Sequence, residues 1–111
     1  MEKEQVKQLI ECMVVVSQAD GLHDEEINFI TNMLQPLWNE SHDTLVGFVH
    51  SIISTHPPKD KFLTNAKILS QKVKGPERQL MINLMQKLML SDGIFTHQEK
   101  EYYVEFQKLF K

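Results

Sequence analysis

A chain of 111 residues with 41% hydrophobic content suits one compact domain, because a chain of this size buries roughly two thirds of the surface it exposes when unfolded. Its one cysteine, Cys12, excludes an internal disulfide framework. A net charge of −3 argues against a general nucleic-acid binder, and no apolar run approaches the ~18 residues of a membrane span. Met1-Glu2-Lys3-Glu4 is too charged to open a signal peptide, so the expected location is the cytoplasm, without membrane insertion.

Apolar residues at Val6, Leu9, Ile10, Met13, Val14 and Val16 repeat at helical spacing and predict a first helix from about Lys3 to Gln18, closed at Ala19-Asp20-Gly21. Cys12 lies inside this stripe and reads as a buried structural thiol. Asp24, Glu25 and Glu26 place acceptors and negative charge at the start of a second helix, whose stripe is Ile27, Phe29, Ile30, Met33 and Leu34, until Pro36 interferes. Ser41 and Asp43 offer caps for a third, with Leu45, Val46, Phe48, Val49, Ile52 and Ile53 inward and a break at His56-Pro57-Pro58.

The fourth helix is expected from about Lys59 to Val73, with Phe62, Leu63, Ala66, Leu69 and Val73 facing the core, and Gly75-Pro76 closes it while presetting the next start. Its surroundings are basic: residues 57–111 carry 10 basic against 6 acidic groups, whereas residues 1–56 carry 2 against 9. The cluster Lys59, Lys61, Lys67, Lys72, Lys74 and Arg78 has no interleaved aromatic to stack bases and reads as a solvated face. Helix five carries Leu80, Met81, Leu84, Met85 and Leu88 and ends at Ser91-Asp92-Gly93. Thr96 and Glu99 then form a capping box for helix six, with Tyr102, Tyr103, Phe106, Leu109 and Phe110. Val14-Val15-Val16 has no partner strand, so the fold class is all-α, a six-helix bundle in one domain spanning residues 1–111.

Two segments repeat at equivalent junctions. Ala19-Asp20-Gly21-Leu22-His23-Asp24-Glu25-Glu26-Ile27 and Ser91-Asp92-Gly93-Ile94-Phe95-Thr96-His97-Gln98-Glu99 each join a helix to the next through an Asp-Gly turn. Gly21 and Gly93 are expected to hold positive φ there. A helix ending in Ala/Ser-Asp-Gly, followed by an apolar residue, a cap and a glutamate, resembles the TerB-like domains, including the N-terminal domain of membrane-anchored DjlA co-chaperones. Glu99 falls six residues after Gly93, as in that family, whereas Glu26 falls five after Gly21. The resemblance implies a compact helical bundle tied to tellurite resistance and stress responses, an acidic surface associated with metal, and no agreed catalytic activity.

The Asp-Gly turns are not EF-hands: with Gly93 at position 6, positions 1 and 3 are Leu88 and Leu90, and with Gly21 there they are Val16 and Gln18. A divalent cation such as calcium, magnesium or zinc would need both turns together, through Asp20, Glu26, Asp92 and Glu99. Alternatively, the aspartates bind turn amides and the glutamates cap their helices. No histidine pair has the i, i+4 spacing of a helical zinc motif, and His23 and His97 read as exposed turn residues. There is no glycine-rich phosphate loop or Gly-x-Ser-x-Gly elbow, so an enzyme is not expected. Two function classes remain: a stress-linked, cation-responsive module, or a protein-binding adaptor without metal, the chain itself being a monomer or weak homodimer.

Overall fold

The computed structural model describes residues 2–18, 24–90 and 97–110. Among them lie six helices and no strand: α1 (Lys3–Gln18), α2 (Asp24–Leu34), α3 (His42–Thr55), α4 (Lys59–Lys72), α5 (Pro76–Met89) and α6 (His97–Phe110), with a 3-10 turn at Gln35–Leu37. No described helix is long and apolar enough to cross a membrane. The radius of gyration is 12.8 Å, close to the ~13 Å of a compact domain of this length.

Helix α1 is the centre of the bundle. Val6, Leu9, Ile10, Cys12, Met13, Val14, Val15, Val16 and Ser17 are all buried, so beyond its first turn the helix is enclosed on nearly every face. That follows from its neighbours: it packs most extensively on α4 and also against α2, α3 and α5, while α6 closes over α4 and α5. The Cys12 thiol donates to the Phe62 carbonyl oxygen at 3.6 Å, tying α1 to α4.

Local signals account for the element boundaries. At α2 the helix stops at Leu34 and Pro36 sits within the 3-10 turn, where its missing N–H costs nothing. Ser41 caps α3 by accepting from the Thr44 amide at 3.4 Å, and His56 ends that helix in the left-handed region at φ 47°. Gly75 joins α4 to α5 at φ 65°, ψ −140°, and Pro76 then takes the first position of α5. The described glycine with positive φ is thus Gly75, whereas Gly21 and Gly93 lie outside the described residues.

Two expected core residues are not core. Leu63 is 40% and Leu80 37% exposed. In α4 the buried line runs Phe62, Asn65, Ala66, Leu69, and Leu63 stands about 100° around the helix from Phe62. In α5 Met81, Leu84, Met85, Leu88 and Met89 point inward, which turns Leu80 out by the same rotation.

Arg78 also departs from expectation, because it is not part of a solvated basic face. Its guanidinium donates to Phe110 O (3.2 Å), Leu109 O (3.2 Å), Val73 O (3.0 Å) and Ser70 O. It therefore collects carbonyls at the C-terminal ends of α4 and α6, where the helix dipole is negative. The same group lies 5.2 Å from the Phe110 ring centroid.

Candidate functional site

Glu26 and Glu99 each occupy the third residue of their helix, in α2 and α6 respectively, and both are buried, at 8% and 5% exposure. The third position is where a capping-box glutamate reaches back to the helix start, and where a carboxylate meets the positive end of the helix dipole. Asp20 and Asp92, the other two residues expected at a shared acidic site, lie outside the described residues, as do His23 and Thr96. Among the described residues no group of three or more His, Cys, Asp or Glu side chains is placed to hold a metal ion.

Cys12 is fully buried, and burial, with Glu11 adding to it, pushes its thiol far above the ordinary range. It is a core side chain and not a nucleophile at neutral pH. His97 stands exposed at the start of α6, its Nε2 3.1 Å from Glu101.

The α4–α6 junction carries a candidate site that the sequence did not single out. A groove of about 210 Å³ opens there, lined by Lys59, Asp60, Phe62 and Leu63 of α4 and Gln98, Glu101, Tyr102 and Glu105 of α6. Its apolar part is built from below. The Phe62 ring meets Tyr102 edge-on at 4.8 Å and lies 6.0 Å from Phe106, which stacks on Phe110 at 4.4 Å. This aromatic row holds α6 on α4 and fixes where Tyr102 stands, each such pair adding ~0.5–1.5 kcal/mol beyond its area. Tyr102 is half-buried, and burial, aided by Glu101, raises its hydroxyl above the usual tyrosine range. Leu63 supplies an exposed apolar wall beside it.

The groove is small and open to solvent. Small-molecule and cofactor sites span ~300–1,000 Å³, and a 210 Å³ groove accommodates a side chain or two of a partner more readily than a cofactor. On the far side of Glu101 and Glu105 a shallower depression of about 480 Å³ includes His97, Lys100 and Val104. Val104 is 37% exposed, so apolar surface continues across α6.

A second polar and aromatic cluster fastens the other end of α1. Trp38, which the sequence reading did not single out, is buried and donates its Nε1–H to Thr44 Oγ1 at 2.9 Å, while Thr44 Oγ1 donates to Ser41 O at 2.7 Å. The Lys3 ammonium lies 5.6 Å from the Trp38 ring centroid and 2.7 Å from Glu40, whose carboxyl it holds below the ordinary range. These contacts join α1, the 3-10 turn and α3, and account for the cluster as architecture.

Among the described residues the geometry defines an all-helical bundle with an apolar groove edged by carboxylates at the α4–α6 junction. Comparison with protein-family models, curated proteins and solved structures gives no match.

Proposed function

We propose that this chain is a non-enzymatic, stress-linked interaction module of the TerB-like kind, acting as a protein-binding adaptor. The observation that carries the adaptor reading is the α4–α6 groove, with Leu63 40% exposed beside half-buried Tyr102. An apolar groove between two helices can receive the apolar face of an amphipathic partner helix. The test is a heteronuclear NMR titration of the labelled chain with amphipathic helix-forming peptides. Shifts centred on residues 60–63 and 101–105, lost in Leu63→Ser, support the reading. Absence of peptide-induced shifts in that region at millimolar peptide refutes it.

A second reading is favoured by the matched placement of Glu26 and Glu99. On it, Asp20, Glu26, Asp92 and Glu99 form an acidic surface that responds weakly to calcium, magnesium or zinc. Isothermal titration of metal-stripped parent and Asp20→Asn/Asp92→Asn protein separates the cases, since equal responses in the two would exclude the shared site.

A further inference from the structure

We infer that the partner segment seated in the α4–α6 groove is a basic amphipathic helix, placing an apolar side chain against Leu63 and Tyr102 and lysine or arginine side chains toward the carboxylates at its edge. The inference rests on the adaptor reading and adds the chemistry of the partner.

Charge placement carries it. Residues 57–111 hold 10 basic and 6 acidic groups, yet three of those six acidic groups, Asp60, Glu101 and Glu105, line this one groove, against a single lysine, Lys59. A half of the chain that is basic overall thus turns an acidic edge toward its apolar groove. The carboxylates are only weakly engaged within the chain. His97 stands 3.1 Å from Glu101 but is charged only when protonated, and Lys108 lies 3.9 Å from Glu105 with both side chains more than half exposed. Exposed pairs of that kind contribute about 0–1 kcal/mol, so a partner's cation displaces them at little cost.

The α4 helix spans 14 residues and α6 another 14, each about 21 Å long at 1.5 Å per residue. The groove itself is lined from Lys59 to Leu63 of α4 and from Gln98 to Glu105 of α6, about 12 Å along α6, so it seats one or two anchors of a partner helix, at i and i+3 or i+4. The apolar wall sets where the helix lies, and the carboxylates select its charge, since a like-charged segment would be repelled.

The experiment uses three peptides of one amphipathic leucine pattern whose polar positions are all lysine, all glutamine or all glutamate. Each is titrated into the whole chain, with binding located by NMR and quantified by fluorescence anisotropy at low and high salt. The lysine peptide is expected to map to residues 60–63 and 101–105 and to bind at least about fivefold more tightly than the glutamine peptide, the effect of one or two exposed charge pairs. Asp60→Asn/Glu105→Gln should abolish that advantage while leaving glutamine-peptide binding and the helical circular dichroism unchanged, and salt should erode it. Equal binding of all three peptides in the groove overturns the basic partner while leaving the adaptor reading intact. Failure of every peptide to reach the groove overturns both. A lysine peptide that maps instead to acidic residues 24–43, or self-association of the chain through the groove, also overturns the proposal.

Discussion

Replacing Arg78 with alanine removes one side chain that serves three helices at once. Its donors reach Ser70 O and Val73 O at the end of α4 and Leu109 O and Phe110 O at the end of α6, from a position in the first turn of α5. Hydrogen bonds to charged groups are each worth ~1.5–3 kcal/mol when isolated, but four bonds from one half-buried group are far from additive and water recovers part of the loss, so about 3 kcal/mol is expected. The cation–π contact with Phe110 is included in that figure. Against a typical stability of ~5–15 kcal/mol this is a large fraction, and it corresponds to a fall in Tm of roughly 12 °C at about 4 °C per kcal/mol. Urea denaturation followed at 222 nm should show a lower midpoint with an unchanged slope. Amide exchange should rise most in the last turn of α6. Arg78→Lys should recover only part of the loss, because an ammonium lacks the planar fork that spans both helix ends. A cost below about 0.5 kcal/mol for alanine, or full rescue by lysine, would refute the view that the guanidinium joins these helix ends.

Gly75→Ala should destabilise by about 1–3 kcal/mol, since a Cβ meets no neighbour there but the φ of 65° is strained for any L side chain; a neutral result by chemical denaturation would contradict that backbone geometry. Stability should also fall at alkaline pH. Both the Cys12 thiol and the Tyr102 hydroxyl are raised in the folded chain above their ordinary values of 9.0 and 10.0. Their contributions are therefore fully present below those values and are lost as pH rises above them, because the unfolded chain releases these protons first. Urea midpoints measured between pH 7 and 11 should decline from about pH 9, and Cys12→Ala should flatten the first part of that decline; an unchanged slope in the variant would refute the assignment to the thiol.

What the sequence determined by itself is the set of helices, because helices are closed by local chemistry. The expected first helix, Lys3 to Gln18, is α1 as found. Pro36, Ser41, His56 and Gly75-Pro76 each stop or start an element within a few residues, through a missing amide, a side-chain cap or a permitted backbone angle. Periodicity also separated the main buried stripes from the surface. The repeated Asp-Gly segments were visible as a pattern, and Glu26 and Glu99 each stand third in the helix that follows.

Tertiary structure decided what depends on residues far apart in the chain. Leu63 and Leu80 satisfy the helical pattern as well as their buried neighbours do, and the positions of α1, α2 and α6 determine which side of α4 and α5 is covered. Arg78 was one more cation in a basic stretch until the ends of α4 and α6 met around it, at separations of 31 and 32 residues for its two contacts in α6. The groove edge joins Asp60 to Glu101 and Glu105 across some forty residues of sequence. Local propensity carries no information about such a meeting, because it arises from packing two amphipathic faces together and not from the conformational preference of either.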